Sequence, residues 1–211
     1  TQGTLAIEKI FGDKNVFDFP KPVELISFFI TVGTKNNDII LDFFSGSATT
    51  AHAVMKLNSE DDGNRKFICV QLPETTDEKS EAFKAGYKNI CEIGKERIRR
   101  AGEKVKSESG KTELDIGFKV LKLDSSNIKS WDSDFENLET NLLDSVENIK
   151  SDRNEEDLLY EILLKYGLDL TLPMEELNIN GKKIFSIGFG SLVCCLDNDI
   201  DTDTVEKIEI L

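Results

Sequence analysis

Asp38-Ile39-Ile40-Leu41-Asp42-Phe43-Phe44-Ser45-Gly46-Ser47-Ala48-Thr49-Thr50 is the stretch whose reading decides the fold. Its first half is short and apolar, the pattern of a strand buried on both faces. Its second half is a turn of small residues, and Ala51, His52, Ala53, Val54, Met55 and Leu57 continue it as a helix. A polar loop at 59–64 leads to Lys66-Phe67-Ile68-Cys69-Val70-Gln71-Leu72, a second buried strand ended by Pro73. Strand, helix and strand within about 35 residues make a βαβ unit, which predicts a parallel sheet with a right-handed crossover.

Upstream, residues 5–11 suit a short helix closed by Gly12, and residues 15–19 an extended segment leading into Pro20-Lys21-Pro22. Pro22 fits the first turn of a helix, where its missing N–H is not needed. Val23 to Ile30 is apolar on most faces, so that helix is expected to be well buried, with Gly33 as its stop. Downstream of Thr75-Thr76-Asp77 the chain is expected to be helical to about Ser107. Ile90, Ile93, Ile98, Ala101 and Val105 form its apolar stripe, and Lys95, Arg97, Arg99, Arg100 and Lys104 crowd the other faces. With Glu96 four residues before Arg100, those faces read as a salt-bridged, solvated surface rather than a phosphate contact.

The polar break at 107–112 sets the expected boundary, giving regions 1–108 and 109–211. In the second region 117–123 reads as a strand, and 135–149 and 155–166 as amphipathic helices. Acids follow Asn154 at the positive end of the latter, and Gly167 closes it. Asn180-Gly181 between two β-prone runs is a strong hairpin signal, extended by a third strand at 191–196. The expected fold class is α/β: a partial parallel sheet, then a small α+β segment with a β-hairpin.

The chain's 211 residues, 39% of them hydrophobic, can bury a core without staples. Its longest apolar run, 25–32, is too short to span a bilayer, and Thr1-Gln2-Gly3-Thr4 has no secretion-signal character, so a cytoplasmic protein without membrane contact is expected. Cys69, Cys91, Cys194 and Cys195 have no metal-ligand spacing, and His52 is the single histidine, which argues against structural zinc and a disulfide framework. The net charge of −14 is unevenly spread. Residues 1–110 hold 16 Lys and Arg against 17 Asp and Glu, whereas 111–211 hold 10 against 23. Phosphates would be repelled by the second half, which suits protein contacts or solubility.

The segment Asp42 to Thr50 joins a strand's end to a helix's start, where open α/β sheets bind ligands. It lacks the lysine of a P-loop and the three spaced glycines of a dinucleotide site. An acid and a small-residue turn suit a zwitterionic ligand with an ammonium group. On chemistry alone, an ordinary tight βα turn accounts for the segment equally well.

The same segment resembles the S-adenosylmethionine (AdoMet) motif of DNA amino-methyltransferases, Asp-Pro-Phe-x-Gly-Ser-Gly-Thr-Thr, with Phe43 in place of proline and Ala48 in place of the second glycine. The second exchange is tolerable only if residue 48 has a negative φ. Phe19-Pro20-Lys21-Pro22-Val23-Glu24-Leu25-Ile26 resembles the motif that precedes it in that family. The resemblance implies a cofactor site of Phe19, Lys21, Pro22, Asp42, Phe43, Phe44, Ser45, Gly46, Ser47, Thr49 and Thr50. Gln71 stands where the family usually has an acid for the ribose hydroxyls, with Glu74 a turn further on; either could serve. The helix from Ile90 to Ala101, Leu121 to Trp131, and the stretches Glu156 to Tyr160 and Tyr166 to Leu170 resemble the modification subunits of type III restriction systems.

That resemblance implies a Rossmann-like, site-specific adenine methyltransferase whose partners are double-stranded DNA and a restriction subunit. The family aims the flipped base's amine with an Asp/Asn-Pro-Pro-Tyr motif. Pro20, Pro22, Pro73 and Pro173 are the only prolines and none are adjacent, so no catalytic residue is assigned and a fragment, inactive alone, is expected. The alternative is a subunit-association module with a vestigial cofactor site. An exposed sheet edge would favour self-association, a homodimer in the simplest case.

Overall fold

The computed structural model describes residues 1–130 and 148–210. They form two compact units, Thr1–Phe118 and Lys119–Leu211. The division falls after Phe118 because Ile116 and Phe118 pack against the apolar cluster of the first unit.

The first unit contains α1 (Gln2–Phe11), α2 (Val23–Gly33), β1 (Ile39–Asp42), α3 (Thr49–Asp61), β2 (Lys66–Cys69), α4 (Glu81–Lys84) and α5 (Ile90–Ser109). β1 and β2 pair in parallel, with Ile39 opposite Lys66 and Asp42 opposite Cys69. The βαβ reading therefore holds. α3 is the centre: Ala51, Ala53 and Val54 are fully buried, because α2, α5 and β2 all pack on it. Small residues make the approach possible, and Ala101 of α5 is likewise fully buried. Thr1 caps α1 by accepting from Thr4 N, and Gly12 ends it in the left-handed region.

Several expectations need correction. Neither strand is buried on both faces. Ile40, Phe67 and Cys69 point inward, whereas Ile39, Leu41 and Ile68 alternate outward and are exposed. Among the described residues nothing covers that outer face, although parallel sheets are ordinarily covered on both sides. α2 is similarly half open: Val23 and Ile30 are buried, while Leu25, Phe28, Phe29 and Val32 are exposed. Residues 15–19 bend rather than extend, with Phe19 at φ 53°. α3 runs three residues into the expected loop. The long helix after Asp77 is broken by Gly86 at φ 95° and restarts where the Asn89 side chain accepts from Glu92 N. Residues 117–123 form no strand, and Leu123 is fully exposed.

In the second unit α6 (Glu155–Tyr166) ends at Gly167, as expected, and begins with a capping box between Asn154 and Asp157. β3 (Met174–Ile179), β4 (Lys182–Ile187) and β5 (Leu192–Cys195) form an antiparallel sheet in that order. Asn180 and Gly181 turn the hairpin with φ 54° and 80°, the double positive φ of a type I′ turn. Leu159 and Leu163 of α6 pack on Phe185 and Ile187. α7 (Thr202–Glu209) was not foreseen; Asp201 caps it, and Asn180 Nδ2 donates to Asp203 and Thr204 at its start. The helix expected at 135–149 lies outside the described residues except for Asn148 and Ile149, and Ile149 bridges Ile128 instead. Trp131 also lies outside them.

Candidate functional site

The strand ladder carries directly into the candidate turn. Val70 N donates to Asp42 O at 2.8 Å and Ser45 N to Val70 O at 3.1 Å, which fixes where β1 ends and the turn begins. Asp42 then anchors the turn with its carboxylate. Thr50 Oγ1 donates to Oδ2 at 2.5 Å, and Phe44 N to Oδ1 at 3.3 Å. A carboxylate has about four lone-pair sites, so acceptor capacity remains.

Gly46 and Ala48 are both left-handed, at φ 51° and 59°, on either side of Ser47. Ala48 thus has the positive φ that was expected to be absent. For a non-glycine residue this costs roughly 1–2 kcal/mol. Its methyl group offsets part of that by packing, 2% exposed, among Ile10, Ala51, Met55, Ile98 and Ala101. Ala48 is the N-cap of α3 and offers no side-chain cap, so the first turn's N–H groups lack that partner.

Gln71 Oε1 accepts from Gly46 N at 2.7 Å, and its Nε2 donates to Leu72 O at 3.2 Å. Its amide is committed to holding the turn. Glu74 is exposed, and among the described residues no hydrogen bond or ion pair engages its carboxylate. Ser47, Thr49 and Thr50 are buried; Phe43 and Phe44 are exposed, their rings 5.2 Å apart. Phe19 and Lys21 are exposed, and Pro22 is the N-cap of α2. No hydrogen bond joins these three to the turn among the described residues. The aromatic that reaches it from that segment is Phe17, whose ring lies 3.2 Å from where a Gly46 side chain would start. A cavity of about 260 Å³ between α2 and β1 is lined by Phe29, Ile30, Asp42 and Thr50, among others.

The residue missed by sequence reasoning is Arg97. It was placed among the solvated cations of α5, yet it is fully buried, its Nη1 donating to Ser47 Oγ and Thr49 Oγ1 at 2.7 Å each. The available signal was Gly94, three residues earlier on the same helix face. A side chain at 94 would begin 3.3 Å from Gly46 O and 3.6 Å from the Ala48 methyl. On the outer face of α5, Arg100 Nε donates to Glu96 at 2.7 Å, as the spacing suggested.

Burial draws the Arg97 guanidinium down to a pKa of about 10, still charged at neutral pH. Burial, with the charge of Asp42 added, raises the Cys69 thiol to about 11. All four cysteines are free, and no group of three or more candidate ligands is placed to hold a metal ion among the described residues. A larger cavity, about 770 Å³, is lined by Lys9, Glu24, His52, Lys56 and Lys104 among others but by no residue from Asp42 to Thr50.

This geometry belongs to a segment with known relatives. Residues 4–102, just under half the chain, match the DNA methylase family. The match falls within the first unit. The chain is similar to the Mod subunit of the type III restriction-modification enzyme StyLTI from Salmonella typhimurium, 45% identical over 118 residues, 56% of this chain and 18% of that protein. The EcoP15I Mod subunit of Escherichia coli is 34% identical over 167 residues, 79% of this chain and 24% of its own. The type II methyltransferase M.KpnI of Klebsiella pneumoniae is 44% identical over 92 residues, 44% of this chain and 22% of its own. The chain thus spans about a fifth of the length of the relatives it matches. No described helix is long and apolar enough to cross a membrane.

Proposed function

We propose that this chain is the cofactor-holding portion of an adenine-specific DNA methyltransferase of a restriction-modification system, and that the cofactor is AdoMet. The observation that carries the reading is the turn itself: a carboxylate at a strand end, a left-handed Gly46 and an uncapped helix start. The residues suit the cofactor. Asp42 has acceptor capacity for its ammonium group, the first N–H groups of α3 for its carboxylate, and Glu74 two free oxygens for ribose hydroxyls. Gln71 acts one step back, through Gly46.

When bound, AdoMet supplies an activated methyl group. This chain's own residues hold and orient it: Asp42 and Thr50 fix the strand end, and Phe43 and Phe44 offer exposed rings beside it. The sequence has no adjacent prolines. The groups that aim adenine's amine are therefore expected from outside these residues, and this chain alone is expected to transfer no methyl groups. Such a complementary part would seat on the uncovered apolar face of β1, β2 and α2. In the whole protein, DNA and a restriction subunit are the proposed partners, in keeping with what the relatives are named for. The uncovered face also favours a second reading, an association module whose cofactor site is vestigial.

Ultraviolet cross-linking of methyl-labelled AdoMet, with peptide mapping, separates the two. Label on peptides containing 42–50 or 71–74, competed by S-adenosylhomocysteine, is the expected result. Label spread without competition favours the association module.

A further inference from the structure

We propose that Arg97 is the positioning residue of the cofactor turn: from α5, its guanidinium holds Ser47 and Thr49 in the arrangement that AdoMet binds. The inference rests on the cofactor reading above. Arg97 reaches the turn across some 50 residues of chain and is fully buried. One nitrogen, Nη1, bonds both hydroxyls and lies 3.4 Å from Ser47 O. Among the described residues no Asp or Glu pairs with it, and Nε and Nη2 have no hydrogen-bond partner.

Such a group is a poor device for stability. A buried cation without a carboxylate loses its hydration and regains little, and apolar residues of similar volume commonly do as well or better. Its position makes the cost greater, because Arg97 sits beside the positive end of α3. An arriving carboxylate relieves both charges. The turn, meanwhile, needs an external tie: it has left-handed residues at 46 and 48 and no side-chain cap. α5 is shaped for that contact, since Gly94 lets its backbone come against Gly46 O. Turn and helix are thus fitted to each other at the cofactor's place, with a charge that the fold alone does not need.

The test is to compare wild type, Arg97→Met and Arg97→Lys in three measurements: AdoMet affinity by calorimetry, the urea unfolding midpoint, and ligand-free amide exchange at residues 46–49. Arg97→Met is expected to keep or raise the midpoint while weakening AdoMet at least tenfold, about 1.4 kcal/mol. Exchange at 46–49 is expected to quicken by roughly the same factor, with Arg97→Lys recovering only part of either. Ser47→Ala added to Arg97→Met should lower affinity little further. Affinity and exchange within twofold of wild type would overturn the proposal, and so would losses that merely track a lowered midpoint. If wild type binds no AdoMet, the cofactor reading fails separately. Exchange then decides alone: quickening sustains the positioning role, and no change overturns it.

Discussion

Acidification should destabilise the first unit through His52, the chain's single histidine. It sits in the first turn of α3. Burial first, then the charges of Arg97, Lys56 and Lys104, lower its pKa from 6.5 to about 3. Its Nδ1 is buried with no partner. The folded state therefore prefers neutral imidazole, whereas the unfolded chain takes up a proton near pH 6.5. Stability from this group is complete above pH 6.5 and is lost progressively down to about pH 3. At about 1.4 kcal/mol per pH unit, the loss between pH 7 and pH 5 is about 2 kcal/mol. That is a large share of a typical domain's stability. Asp61 and Glu96, whose pKa values are lowered by hydrogen bonds from Arg65 and Arg100, keep their contribution above their ordinary values of 3.8 and 4.5 and lose it only as pH falls below them, outside that interval. The assay is urea unfolding of wild type and His52→Gln at pH 7 and pH 5, with NMR of the one imidazole. His52→Gln should lose far less stability than wild type over that interval. An imidazole titrating near 6.5 in the folded protein, or equal losses in the two proteins, would refute the reasoning.

Three further outcomes follow from packing. Ala48→Gly relieves a left-handed alanine (roughly 1–2 kcal/mol) but loses a buried methyl and adds unfolded-state entropy, together of similar size, so stability should change by less than about 1 kcal/mol; urea unfolding checks this, and a loss above 2 kcal/mol would show that the φ is wrong. Gly3→Ala places a methyl 1.9 Å from Pro20 O, and should cost on the order of 1–3 kcal/mol in the same assay; no loss would mean that α1 does not rest on Pro20. The uncovered apolar face predicts self-association at micromolar concentration and binding of a hydrophobic dye. Leu41→Lys with Ile68→Lys should reduce both in sedimentation and fluorescence, whereas a monomeric, dye-silent wild type would contradict it.

What could be read ahead was what is local. The βαβ unit and the Asn180-Gly181 hairpin depend on neighbours in sequence, and both are present. So is the end of α6 at Gly167. Burial was misread at Leu41, Ile68, Phe28 and Phe29, which are exposed, because an apolar side chain records that a cover is wanted, not that the described residues provide it. Arg97 was misread for the converse reason: its neighbours Glu96, Arg99 and Arg100 form a surface ion-pair group, and only the fold turns residue 97 inward to Ser47 and Thr49. The left-handed Ala48 contradicted its own side chain, since glycine suits that conformation and only the cluster around the methyl explains alanine there.

The most direct test of the central claim is calorimetric titration of this chain with AdoMet, wild type beside Asp42→Ala. Saturable binding that Asp42→Ala weakens at least tenfold, with both proteins folded by circular dichroism, is the predicted result. Equal affinity in the two, or no binding by folded wild type, would contradict the assignment of the turn as a cofactor site in this chain.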